Sequence, residues 1–231
     1  METLNFNIYY PVPLANLFFI PADKTKWNQN SPYQPIFNKK GKKIGEYPNR
    51  KSVLKPGELL KPKSKVLETF FGKNSRTNHG LYILIFPDYF KFYVGIAAYS
   101  QKANDTSEGI FTRLKKHRAK CTGTSWKISH TNNGKSGNGW RDFALQRYQD
   151  FYDKNEHDVM QDCYLSIICF QNGDKLISEN KVKLEMLEAD ISNQGLKNLF
   201  EGQFSNCLSF SHTTSRAINY IPNFTMLNFP C

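Results

Sequence analysis

Tyr82 and Tyr93 stand eleven residues apart in GLYILIFPDYFKFYVG, residues 80–95, each in a motif that also holds a glycine. A phenol with its ordinary pKa of about 10 takes a proton from water only where a nearby cation favours the phenolate. Downstream, in GIFTRLKKHRAK, Arg113 and His117 are four residues apart, so a helix sets them on one face, a turn from each other. A guanidinium offers a planar fork that matches two phosphate oxygens, and an imidazole moves protons near neutral pH. The later stretch SENKVKLEMLEADISN supplies Glu185 and Glu188. One carboxylate is enough to hold a Mg²⁺ or Mn²⁺ ion that keeps most of its waters and takes other ligands from a phosphate. Singly, each feature has an ordinary use: tyrosines pack in strands, basic helices face solvent, and glutamates line exposed turns. Together they are the parts of phosphodiester hydrolysis, which needs a nucleophilic water, charge neutralisation and help for the leaving oxygen.

These side chains need elements to hold them. Leu81–Phe86 and Phe90–Ala97 are rich in branched and aromatic residues and flank Pro87-Asp88, which predicts a hairpin. A helix is expected over 107–120 and another around Trp140–Tyr152, where apolar residues recur at helical spacing. The run CYLSIICF predicts a third strand, ended by Asn172-Gly173. Ser178 suits the N-cap of a helix running to about Ser192, with Gly195 as its stop, and a further helix is expected over Leu196–Leu208. Without βαβ alternation, this order predicts an α+β fold: a small, mainly antiparallel three-stranded sheet flanked by helices.

The 231 residues carry a formal net charge of +11, which favours an anionic partner such as nucleic acid. The charge is uneven. Residues 1–75 hold eight of the eleven prolines and 13 Lys/Arg against 5 Asp/Glu, so this segment is expected to form a basic N-terminal arm or subdomain, with the regular domain over 76–231. On the helix after the hairpin, Lys115, Lys116, Arg118 and Lys120 surround the Arg113–His117 pair and are candidate DNA contacts. The five cysteines are scattered, with no C-x-x-C pair, and read as reduced thiols. No apolar run spans a bilayer and no signal peptide is evident, so the expected location is the cytoplasm.

Gly80-Leu81-Tyr82 and Tyr93-Val94-Gly95, followed by Arg113-x-x-x-His117, a strand and a helix with Glu188, resemble the GIY-YIG nuclease superfamily over residues 79–206. The resemblance implies a metal-dependent endonuclease acting on double-stranded DNA, most similar to the restriction-type members. It also implies catalytic roles for Tyr82, Tyr93, Arg113, His117 and Glu188, with Glu188 on the metal. Tyr82 is expected to be the base, Glu185 is the reserve carboxylate and Glu201 a third. An asparagine often closes such sites, and here Asn198 and Asn206 are the candidates. Cutting both strands requires a homodimer or sequential nicking, since one chain carries one site. The rival reading is a non-catalytic nucleic-acid-binding domain with the same fold and charge.

Overall fold

All seven residues of the segment Gly80–Phe86 are buried, and a strand buries every side chain only when both of its faces are covered. In the computed structural model this strand lies inside a mixed sheet, with an antiparallel neighbour on either edge. The structure describes residues 1–19, 25–27, 33–37, 40–48, 50–52, 60–72, 75, 77, 79–97, 109–121, 143, 161–171, 178–197, 199–200, 206–207 and 218–230. The chain forms two compact units, one of Met1–Phe19, Pro62–Leu114 and Met160–Cys231, the other of Ile20–Lys61 and Lys115–Val159.

In chain order the elements begin with β1 (Glu2–Tyr9), β2 (Val12–Pro13), the single turn α1 (Leu14–Leu17) and β3 (Phe18–Phe19). Next come β4 (Thr25–Trp27), β5 (Tyr33–Phe37), β6 (Lys43–Pro48), β7 (Arg50–Ser52) and β8 (Lys61–Pro62). Then follow α2 (Lys65–Phe70), β9 (Gly80–Phe86), β10 (Lys91–Ala97) and α3 (Ile110–Cys121). The series closes with β11 (Tyr164–Phe170), α4 (Ser178–Gln194), β12 (Asn206–Cys207) and β13 (Tyr220–Leu227).

The main sheet runs β12-β10-β9-β11-β1-β13, with β2 also pairing β11. The expected three-stranded sheet is therefore only its middle, β10-β9-β11, and four more strands extend it. It is mixed rather than mainly antiparallel in its outer parts: β1 is parallel to β13, and β12 is parallel to β10. The α+β class holds. The residues expected to open a basic extension instead place β1 between β11 and β13. The physical reason is the alternation Asn5-Phe6-Asn7-Ile8, which buries Phe6 and Ile8 on one face of the sheet. Tyr220, Phe224 and Met226 join Phe6 and Ile8 in the same apolar cluster. Pro222 is tolerated in β13 for a directional reason. The Leu227 carbonyl accepts from the Tyr10 amide at 2.9 Å, so alternate residues face β1 and Pro222, out of phase, turns its missing donor away from the ladder.

Register assigns each side chain a face. Leu81, Ile83, Ile85, Phe92 and Val94 lie on the side covered by α4 through Leu184, Leu187 and Ile191, spaced three and four residues apart. Tyr82, Leu84, Tyr93 and Gly95 therefore share the opposite face. The first turns of α3 are anchored by buried Ile110 and Leu114 and by Phe111, whose ring stacks on Phe18 at 5.6 Å. Phe71 completes that group, 5.0 Å from Phe18. It follows α2, which Ser64 caps by accepting from the Leu67 amide at 3.2 Å.

The helix expected over Leu196–Leu208 is replaced by a single turn on the Leu196 carbonyl and then, at Asn206–Cys207, by β12. Leu196, Leu199, Phe200 and Cys207 all pack on the α4 cluster, so a turn and a strand satisfy the apolar spacing that suggested a helix. The helix expected around Trp140–Tyr152 lies outside the described residues except for Phe143, which is buried. In the second unit β4 pairs with β7 and β5 with β6, both antiparallel, and the β5–β6 turn exposes Lys40 and Lys42. Among the described residues no helix is long and apolar enough to cross a membrane.

Candidate active site

The hairpin register sets Gly95 directly opposite Tyr82. A Cβ at Gly95 would stand 2.5 Å from the Tyr82 hydroxyl and 2.9 Å from the Tyr93 ring. Only a glycine leaves room for the Tyr82 phenol to lie across β10 toward Tyr93. The two rings sit 5.9 Å apart, inclined at 39°. The two hydroxyls are hydrogen-bonded to each other, which adds to the rise of the Tyr82 pKa and draws that of Tyr93 down. Gly80 has a different reason to be glycine. Its φ is +150°, and a Cβ there would lie 2.2 Å from the Ile168 carbonyl oxygen of neighbouring β11. That glycine serves the packing of one backbone on another.

Glu188 reaches the same place from α4. Among the described residues the β12 ladder covers β10 only at Lys91 and Phe92, and further along the strand the Ile96 amide donates to the Glu188 carboxylate. Burial pushes the Glu188 carboxyl up to about 7, and the neighbouring charge of Glu185 adds to the rise. The Ile96 amide and the Arg113 guanidinium pull the other way. Glu185 itself pairs with Lys181 at 3.6 Å along the helix surface.

Arg113, half-buried in the first turns of α3, acts electrostatically on Tyr82, Tyr93 and Glu188 alike, lowering each pKa. Burial is the larger influence on both phenols. It raises Tyr82 well above the ordinary value, and it raises Tyr93 as well, with a further contribution from the Glu188 carboxylate and a smaller one from Cys207. Both hydroxyls are thus protonated at neutral pH, and Tyr82, only 2% exposed, is the more enclosed.

Four of the expected residues, Tyr82, Tyr93, Arg113 and Glu188, therefore meet, delivered by β9, β10, α3 and α4. The backbone of α3 includes His117, but its side chain, with those of Lys116, Arg118 and Lys120, lies outside the described residues, while Lys115 is half-buried. Asn206 stands in β12 opposite Lys91, its side chain undescribed, and Asn198 and Glu201 also fall outside the described residues. The sequence reading missed the Ile96 amide, because any residue carries one, and the closeness of Cys207, which came from the misplaced last helix.

Among the described residues no three His, Cys, Asp or Glu side chains converge to form a metal cage. The donors do fit a hard divalent cation in another manner. Glu188 is a half-buried carboxylate whose charged form is disfavoured by its surroundings, and Glu185 adds negative potential beside it. Such a group gains most from a cation that brings its own waters and shares a substrate's oxygens. No protein-family model, curated protein or solved structure matches the chain.

Proposed function

We propose that this chain is a Mg²⁺- or Mn²⁺-dependent DNA endonuclease of the GIY-YIG kind, acting as a restriction-type enzyme. The observation that carries the reading is the meeting of two phenols, a guanidinium and a half-buried carboxylate from four separate elements. Titratable groups whose pKa values are shifted by burial and by specific charged neighbours are concentrated at functional sites.

Arg113 neutralises the phosphate as negative charge builds on its oxygens. Glu188 would hold the divalent cation, which supplies further neutralisation and makes a bound water more acidic. The net charge of +11 draws the polyanionic substrate toward the protein. The two phenols divide the remaining work. Sequence alone favoured Tyr82 as the proton acceptor. Its near-complete burial suits it better as a fixed partner that orients Tyr93. Tyr93, less enclosed and lying beside Arg113, is the phenol that a bound cation would most readily bring to the phenolate form needed to take a proton from the attacking water.

Incubation of supercoiled plasmid with the protein and Mg²⁺, followed by mapping of the ends, tests the reading. Metal-dependent cleavage abolished by EDTA, with 5′ ends at defined sequences, is the expected result. DNA binding without cleavage under Mg²⁺ and Mn²⁺ would leave a non-catalytic nucleic-acid-binding domain in its place.

A further inference from the structure

The hairpin that carries both tyrosines turns through Pro87–Tyr89, and Phe90 closes it. Phe90 is the one described residue other than glycine with a positive φ, at 50°. A bulky side chain is disfavoured in that left-handed region, where glycine or asparagine fits without penalty. Its ring is also 63% exposed, so it gains little from burial. The turn does not require a phenylalanine. Its closing bond runs from the Phe90 amide to the Pro87 carbonyl at 3.0 Å, and any residue but proline makes it. Two unfavourable features thus coincide at one position, and strain that a fold does not need points to function.

The position says which function. Phe90 immediately precedes β10 and lies three residues before Tyr93, a span of at most about 10 Å at roughly 3.3 Å per residue. Stacked bases repeat every ~3.4 Å along a strand, so the ring stands about three base steps from the site. An exposed apolar ring beside a nucleic-acid site is the type of wedge that enters between base pairs and unstacks them. We infer that Phe90 inserts into the DNA held at the tyrosine site and kinks it there; this rests on the proposed function. Unstacking is easiest at pyrimidine–purine steps, which gives the wedge a preference for such steps near the cut.

The test is fluorescence from an alternating thymine–2-aminopurine duplex, whose emission is quenched by stacking, bound at low salt in EDTA so that nothing is cut. Wild-type protein should raise the emission, and Phe90→Leu should keep part of the rise. Phe90→Asn should abolish it and bind roughly five- to a hundredfold more weakly, the loss expected for one stacked aromatic. Its Tm should equal or exceed the wild-type value, since asparagine accepts the left-handed backbone. Equal emission from wild type and Phe90→Asn would overturn the wedge while leaving DNA binding intact. A lower Tm for Phe90→Asn would also overturn it, by showing that the ring serves the fold. Absence of any DNA binding by the wild type would remove both the wedge and the endonuclease reading.

Discussion

Gly80-Leu81-Tyr82 and Tyr93-Val94-Gly95 are near mirror images as letters and opposites as structure. In the first, the glycine meets backbone: the Ile168 carbonyl would lie 2.2 Å from a Cβ. In the second, the glycine meets a side chain, the Tyr82 phenol that crosses it. Tyr82 is enclosed, whereas Tyr93 is only half-buried. Ile96, beside Gly95, adds the amide that holds Glu188. The glycine of the first half serves the sheet, and the glycine of the second half makes room for the paired phenols. A motif's symmetry in sequence is thus no guide to a symmetry of roles.

The largest expected effect that would sharpen this contrast is on rate. Tyr93→Phe should slow cleavage by about 10²–10⁴-fold, the span for losing a proton acceptor, in a protein whose thermal melting is unchanged. If Tyr82→Phe proves the more damaging of the two, the division of labour is reversed. Next is stability in the first half. Gly80→Ala drives a Cβ into backbone that no rotamer change relieves, and should cost roughly 3 kcal/mol in urea unfolding. Gly95→Ala meets two tyrosine side chains rather than backbone and should cost less stability while still disabling cleavage; equal losses of stability would erase the distinction.

The carboxylate beside the second half gives a pH-dependent effect of similar or smaller size. Its folded pKa of about 7 exceeds its ordinary value of 4.5, so folding favours the protonated form. That stability is complete below about pH 4.5 and is lost as pH rises through 7. Glu188→Gln should remove the loss and make the metal-free protein more stable than wild type above pH 7, by roughly 2–3 kcal/mol. Parallel stability curves for the two proteins would show that Glu188 bears no such burden. The smallest effect is that of Tyr82→Phe, which removes one orienting hydrogen bond of about 1 kcal/mol and should slow cleavage roughly fivefold.

The sequence disclosed the hairpin, β11 and α4 because each carries a strong local pattern: continuous apolar runs, a Pro-Asp turn, and a stripe with Ser178 before it and Gly195 after it. It also pointed to Tyr82, Tyr93, Arg113 and Glu188, which the structure brings near one another. What stayed hidden was long-range. Residues 1–9 were read with the prolines and lysines that follow them, and nothing local reveals that β1 fits between β11 and β13. β13 was masked by Pro222, which only an outer strand tolerates. How far each phenol is enclosed, Tyr82 fully and Tyr93 by half, depends on packing that no motif encodes. The position of β1 also means that removing residues 1–75 deletes an interior strand, so such a truncation would report on folding rather than on DNA contacts.

Plasmid cleavage by Glu188→Gln is the most direct test of the claim that these four residues form a hydrolytic centre. The substitution keeps the size of the side chain and an oxygen for the Ile96 amide, but removes the charge that would hold the cation. The expected result is a folded protein with DNA affinity close to wild type and no Mg²⁺-dependent cleavage. Cleavage by Glu188→Gln at the wild-type rate would contradict the account, and loss of cleavage in Glu185→Gln instead would place the metal one helical turn earlier on α4.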